Sequence, residues 1–381
     1  MKLLFDATAM ALADYHRGGA YRYGFELLRH LPDALPEGWR VQPFVGRIHP
    51  RHAARTRRLL ADLGDPAVVR GRVPQRLLRR VELPAEWNAG RHDLFHGPFD
   101  LVPPTRRAAR VVTIHDLAFL RAPEGLPAEW IAERRATVPP SARRAHRVIT
   151  VSEFSRRDLI ELLDLDPEKV VAIHHGIGAE FRPTEDRGAD LARLAERYGI
   201  RPGFVLYLGT LQPNKNVEGL CAAYQLLRER GFPGQLVLAG AEGWLFDEMW
   251  ERIVGRGHDA GVLRTGFVDD EDIPRLYRAA DAFALVSFLE GFGIPVIEAM
   301  ACGTPVVAAD ACSLPEVAGD AALLADPDDP SSIADALERA VGPERERLVA
   351  AGLRRAAEFT WPRSAARHVE VYRHALEEAR G

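Results

Sequence analysis

Ser287-Phe-Leu-Glu290-Gly-Phe-Gly-Ile-Pro-Val-Ile-Glu298-Ala-Met-Ala-Cys-Gly303-Thr-Pro-Val-Val-Ala308 is the stretch that decides the fold of this chain. Leading into it, Asp281 to Phe288 are almost continuously apolar, which suits a strand buried on both faces of a parallel sheet. Gly291 and Gly293 permit a tight turn and close approach of backbone to a ligand. Pro295 fits the first turn of a helix, where its missing N–H is no loss. Val296 to Cys302 continue that helix, Gly303 stops it, and Thr304 to Ala309 read as the next buried strand. A strand, glycine turn, helix and strand in that order place ligand space at the carboxyl end of the first strand. N–H groups at the helix start attract an anion such as a diphosphate. Glu290 at the strand end and Glu298, expected in the first helical turn, can each accept hydrogen bonds from ligand hydroxyls. Taken alone, the two glutamates also fit an ordinary βα unit.

Working outward, the same alternation runs through the chain. Leu3 to Ala7, Val41 to Val45, Leu94 to His96, Val111 to His115, Val148 to Val151 and Val171 to His174 are candidate strands of a first half. Tyr21 to Leu31 and Ser155 to Leu163 are candidate helices, with Ser152 as the N-cap of the second. The pattern restarts with Phe204 to Gly209, Gln235 to Ala239, Val262 to Val268, Ala282 to Phe288, Thr304 to Ala309 and Ala322 to Ala325. Two doubly wound α/β domains follow from it, and 381 residues is a natural length for two. Phe181-Arg-Pro-Thr-Glu-Asp-Arg-Gly188 is the expected linker.

The Ser287–Ala308 stretch resembles the signature of retaining glycosyltransferases of family four, enzymes of the GT-B fold. The resemblance is most specific from about Phe204 to Asp328 and is weaker through the amino-terminal half. It implies an α/β, GT-B architecture of two doubly wound Rossmann-like domains with a cleft between them. Residues 1–185 would form the acceptor-side domain, and residues 200–361 the domain that binds the nucleotide-sugar. A final helix, about 362–381, would cross back to the first domain. By the same resemblance Glu290 lies by the donor sugar, Glu298 binds the ribose, and Gly291, Phe292, Gly293 and Ile294 meet sugar and phosphates.

Further site residues follow from the resemblance. Tyr207-Leu-Gly209-Thr-Leu-Gln-Pro-Asn-Lys215-Asn216 is similar to the family's phosphate-binding loop, and Lys215 matches its lysine, placed to stabilise the leaving diphosphate. Thr210 and Asn214 depart from the pattern, since arginines are frequent at both places. Thr113-Ile-His115-Asp116 resembles the active-site pair of the first domain, with His115 toward the sugar and Asp116 orienting it or capping the next turn. His96 is a candidate for the acceptor side. Arg17-Gly18-Gly19-Ala-Tyr21 resembles the glycine-rich first loop, with Tyr21 in place of the second glycine, and Gly19 would approach the donor. Val268 closes a loop that lies against the base in the family. Asp269-Asp-Glu-Asp272 reads as the acidic start of the helix Ile273 to Ala280 and not as a metal site.

Net charge of −4 gives no basis for nucleic-acid binding. Cys221, Cys302 and Cys312 lack metal-ligand spacing and suit a reducing compartment. No apolar run approaches a membrane span, so the expected location is cytoplasmic. Dense arginines (Arg51, Arg55, Arg57, Arg58, Arg70, Arg72, Arg76, Arg79 and Arg80, then Arg106, Arg107, Arg134, Arg135, Arg143, Arg144 and Arg147) suggest either solvated helix faces or peripheral contact with an anionic membrane. The expected activity is transfer of a hexose from a nucleotide-diphosphate sugar, GDP-mannose first, to a glycan, lipid-linked or small-molecule acceptor. No metal or other cofactor is expected. A sugar-nucleotide epimerase and a catalytically silent binding protein are the alternatives. A dinucleotide-dependent oxidoreductase lacks its G-x-G-x-x-G after the first strand.

Overall fold

The apolar runs form two parallel sheets, one in each of two units. In the computed structural model, which describes residues 1–12, 18–74, 83–184 and 186–380, the first unit is Met1–Arg121, Ala128–Gly176 and Thr360–Gly381. The second is Ala122–Pro127 and Ile177–Phe359. Arg17, Arg76, Arg79 and Arg80 lie outside the described residues.

The first sheet contains β1 (Lys2–Asp6), β2 (Arg40–Arg47), β3 (Val69–Pro74), β4 (Leu94–Gly97), β5 (Ala109–Thr113), β6 (Arg147–Thr150) and β7 (Val170–Ala172). Its order is β3-β2-β1-β4-β5-β6-β7, all parallel. β3 was not expected, because its Val-Arg-Gly-Arg-Val-Pro alternates with arginine and carries no apolar run. Registers place His96 opposite Val111 and Gly97 opposite Val112, so β4 and β5 release their following loops side by side. The final helix, Trp361–Glu378, belongs to this unit. Its Trp361, Ala365, Val369, Tyr372 and Ala375 share a buried cluster with Leu3, Tyr23, Leu27 and Leu31.

The second sheet contains β8 (Phe204–Leu208), β9 (Gln235–Ala239), β10 (Val262–Gly266), β11 (Ala282–Leu285), β12 (Val306–Ala309) and β13 (Ala322–Ala325). The order β10-β9-β8-β11-β12-β13 reverses between β8 and β11, which pair through Phe283 and Leu206. A crevice for a ligand forms outside the carboxyl ends of strands at such a reversal. The loops after β8 and β11, which carry Lys215 and Glu290, therefore start next to each other. β11 ends three residues before Phe288. The Asn216 amide takes the Val286 carbonyl (3.0 Å) and the Phe288 N–H goes to the Asn214 carbonyl (3.1 Å), which draws the chain out of the ladder.

The segment 181–188, expected as a linker, lies inside the second unit. Phe181 is buried and meets Tyr277 edge-on at 6.0 Å, and Asp186 caps the helix Arg187–Tyr198 through the Ala189 N–H. The chain passes between units at Arg121/Ala122, Pro127/Ala128, Gly176/Ile177 and Phe359/Thr360. Among the described residues no helix is long and apolar enough to cross a membrane.

Candidate functional site

Two loops of the second unit are tied together before any ligand arrives. Asn216 adopts a left-handed conformation (φ 55°) and caps the helix Val217–Glu229 through the Gly219 N–H. Its amide also donates to the carbonyls of Val286 (3.0 Å) and Pro327 (2.7 Å). Tyr207, fully buried, donates its hydroxyl to the Thr210 carbonyl at 2.9 Å and steadies the same loop. Lys215 is thereby presented to Glu290, with Nζ 2.8 Å from Oε1. The buried Ser287 donates to that same oxygen at 2.8 Å. Both charged side chains are mostly shielded, 21% and 14% exposed, so the pair is a preset dipole and not a solvated surface bridge. Beside it, the Asn214 Oδ1 is buried without a hydrogen-bond partner among the described residues, and Thr210 is exposed.

The glycine turn is clamped from the far side. Ser313, fully buried, donates to the carbonyls of Glu290 (2.9 Å) and Phe292 (3.1 Å). Gly293 has φ 98°, and a Cβ there would stand 2.6 Å from the Leu314 side chain, so glycine is favoured. Phe292 and Ile294 turn their side chains into the core, where the Phe292 ring meets Phe359 edge-on at 5.9 Å. What this turn can offer a ligand is therefore its backbone, at the start of the helix Ile294–Ala301. Val268, in the loop after β10, is also buried.

Glu298 requires a correction. The helix begins at Ile294, which makes Glu298 its fifth residue and places it beyond the first turn. It is 2% exposed, and the Tyr277 hydroxyl donates to its Oε2 at 3.0 Å. Burial, with the Glu298 charge adding to it, pushes the Cys302 thiol up to about 12, and burial does the same to Cys221. Neither thiol is a nucleophile near neutral pH. Asp272, expected only as a helix-start acid, is fully buried and held by Arg193 (2.5 Å), Arg197 and the Tyr198 hydroxyl (3.0 Å).

In the first unit His115 follows β5. Its Nε2 lies 2.9 Å from the Pro98 carbonyl, so in the neutral ring Nε2 carries the proton and Nδ1 the lone pair. The His115 main-chain N–H donates to Asp100 Oδ1 at 3.2 Å, and Arg134 holds the other Asp100 oxygen at 2.5 Å. The Tyr23 ring meets the imidazole edge-on, with centroids 5.0 Å apart. Asp116 accepts from the Ala118 N–H at 2.9 Å, which is a turn cap. Gly19 is the first residue of the helix Gly19–Ala34.

His96 is a second correction. It is fully buried, and both ring nitrogens are engaged within the core: Nδ1 with the Tyr372 hydroxyl and Nε2 with Thr113 Oγ1, each at 2.8 Å. Thr113 continues to the Tyr23 hydroxyl (2.7 Å), Tyr23 to His368 Nε2 (2.9 Å), and His368 Nδ1 to the Ser364 carbonyl (2.7 Å). That carbonyl can only accept, which fixes every proton in the chain. His368 donates from Nδ1 and accepts at Nε2 from Tyr23. Tyr23 accepts from Thr113, which accepts from His96 Nε2–H, and His96 Nδ1 accepts from Tyr372. Burial pushes the pKa of His96 well below its usual value and that of His368 to about 4, so both rings are neutral as this chain requires. An acceptor-side role for His96 gives way to one in the core.

Asp100, Ser313 and Tyr23 escaped the sequence reading. Their partners lie 15 to 345 residues away, and no local pattern marks them.

The model of the glycosyl transferases group 1 matches residues 195–355, and that of glycosyltransferase family 4 matches residues 17–181. The chain is 36% identical over 285 residues to the O-antigen chain mannosyltransferase B of Escherichia coli, covering 74% of each protein. It is 30% identical over 246 residues to a serotype-specific mannosyltransferase of Escherichia coli, covering 62% of this chain and 30% of that longer protein. Among solved structures, that of Anabaena HepE in complex with UDP and glucose superposes with a TM-score of 0.73 at 22% identity over 97% of this chain and 98% of the other. The sucrose-phosphate synthase of Thermosynechococcus elongatus gives 0.71 at 21% identity, over 98% of both chains. At such identities these structures speak to the fold.

Proposed function

This chain belongs to the glycosyltransferases of group 1 and family 4, and from that premise we propose that it transfers mannose from GDP-mannose to a glycan or lipid-linked acceptor with retention of configuration. It is a glycosyltransferase with the GT-B pair of Rossmann-like sheets. Mannose is supported by the activities of the two Escherichia coli relatives. The observation that carries the role assignment is the Lys215–Glu290 pair, held at the point where the second sheet reverses.

In this reading the donor diphosphate inserts beside Lys215 and the backbone of Gly291–Gly293. The ammonium and the N–H groups of the helix start neutralise charge that grows on the leaving group as an oxocarbenium-like centre develops. No metal is needed for that task. Glu290, released from part of its bond to Lys215, accepts from sugar hydroxyls. Glu298 serves the ribose, and the Nδ1 of His115 would be an acceptor for a sugar hydroxyl. A diphosphate oxygen takes the acceptor's proton, so no side chain is assigned as a covalent nucleophile. The protein would act in the cytoplasm. The exposed Arg51, Arg57, Arg58, Arg70 and Arg72 would give it salt-sensitive contact with anionic lipid.

A thermal-shift series with GDP, UDP, dTDP and ADP tests the donor, because a bound nucleotide raises apparent stability. Selective stabilisation by GDP, with transfer from GDP-mannose giving the retained anomer by NMR, is the expected result. Selective stabilisation by UDP would overturn the donor, and an inverted anomer would overturn the mechanism.

A further inference from the structure

One fully buried hydroxyl governs how the glycine turn presents its backbone. Ser313 stands at the N-cap of the short helix Leu314–Ala318, where a serine ordinarily accepts from an N–H of its own helix. It makes no such bond, and its hydroxyl goes instead to the carbonyls of Glu290 (2.9 Å) and Phe292 (3.1 Å). Its neighbour acts alongside. Cys312 has φ 56°, a left-handed conformation uncommon outside glycine, and its Sγ lies 3.2 Å from the Phe288 carbonyl. Alternate carbonyls of the turn, at Phe288, Glu290 and Phe292, are therefore held by one dipeptide.

Peptide geometry carries this to the other side of the turn. In a trans peptide the C=O of one residue and the N–H of the next point in opposite directions, and no cis peptide occurs among the described residues. Holding the Phe292 carbonyl turns the Gly293 N–H away from Ser313, and holding the Phe288 carbonyl turns the Leu289 N–H away from Cys312. Neither N–H donates to an acceptor among the described residues, although both residues are buried. An unanswered donor at a buried position is rare in a finished fold. At Gly293 it also opens the helix Ile294–Ala301, where the dipole favours an anion.

We propose that Ser313 is a positioning residue of the donor site: by holding the Glu290 and Phe292 carbonyls it aims the Gly293 N–H at the donor's diphosphate, while Cys312 does the same for the Leu289 N–H. The inference rests on the glycosyl-transfer reading above. Titration calorimetry on the full chain would compare GDP with GMP, or UDP with UMP if the thermal-shift series selects uridine. The monophosphate reads base, ribose and first phosphate, so the ratio of the two affinities isolates the second phosphate. In Ser313→Ala the Gly293 peptide is released, and the diphosphate should bind about ten-fold more weakly, the scale of one hydrogen bond to a charged group. The monophosphate should change little. Ser313→Thr keeps the hydroxyl and should keep the wild-type ratio. If Ser313→Ala does not fold, Ser313→Cys, similar in size and a weaker donor, should lower the ratio in its place. A ratio equal to wild type in the alanine or cysteine variant, equal weakening of both nucleotides, or a threonine variant as impaired as alanine would overturn the positioning role. Failure of the wild-type chain to bind any nucleotide would overturn the proposed function itself, whereas binding with an unchanged ratio would overturn this inference alone.

Discussion

Acidification should loosen the first unit, and His368 supplies a measurable share. The ring is fully buried, bonded at both nitrogens, and burial pushes its pKa from 6.5 to about 4. The unfolded chain takes up this proton near pH 6.5, whereas the folded chain refuses it until near 4. The contribution is therefore fully present above 6.5 and is lost as pH falls from 6.5 through 4. At roughly 1.4 kcal/mol per pKa unit, the total is about 3 kcal/mol. His96 and His175 are likewise buried and pushed well below 6.5, so each adds to the loss of stability on acidification in the same direction. Urea unfolding at pH 7, 6 and 5, followed by circular dichroism, measures that slope. His368→Leu should lower stability at pH 7, because the Tyr23 hydroxyl loses its acceptor. It should also flatten the pH slope by about 1.4 kcal/mol per unit near pH 5. A slope identical to wild type, or stability that rises on acidification, would refute the linkage between burial and neutrality in this network.

Lys215→Ala should lower kcat about 100-fold, the scale of losing one preorganised charge on a leaving group, while far-ultraviolet dichroism stays unchanged; turnover within a few-fold of wild type would remove the diphosphate role. Gly293→Ala should cost about 1–3 kcal/mol, because φ 98° and the Leu314 side chain both oppose a methyl group. A melting temperature equal to wild type would show that the turn can relax. Tyr277→Phe removes the donor to the buried Glu298 and should destabilise by about 1.5–3 kcal/mol, read as a lower urea midpoint at pH 7. An unchanged midpoint would mean that other contacts of Glu298 suffice.

Much of the second unit was legible because buried parallel strands are uninterrupted apolar runs. Gln235–Ala239 and Ala322–Ala325 match their expected limits, whereas the strand ending at Leu285 was read three residues too long. The excess arises from side-chain bonds made by Asn216, some 70 residues away, which no local pattern encodes. The strand Val69–Pro74 was lost for the opposite reason, since its arginines hide the apolar period. The two ends of the Lys215–Glu290 pair were each readable, but their contact depends on which strands are neighbours. His96 misled because a histidine beside a strand end looks the same whether a ligand or Tyr372 will occupy its nitrogens. Glu298 was displaced beyond the first turn by a helix start at Ile294, one residue before the proline.

The place of the last helix also sets an order of assembly during synthesis. Apart from six residues, the second unit is drawn from Ile177–Phe359 and can close as soon as Phe359 has left the ribosome. The first unit, although translated first, must wait for Trp361–Glu378 to supply its wall. Until then Tyr23 and His96 lack His368 and Tyr372, and Leu3, Leu27 and Leu31 lack their cover. The usual amino-terminal-first sequence of domain folding is thereby inverted. The nascent first half stays without that cover for the time needed to translate some two hundred further residues.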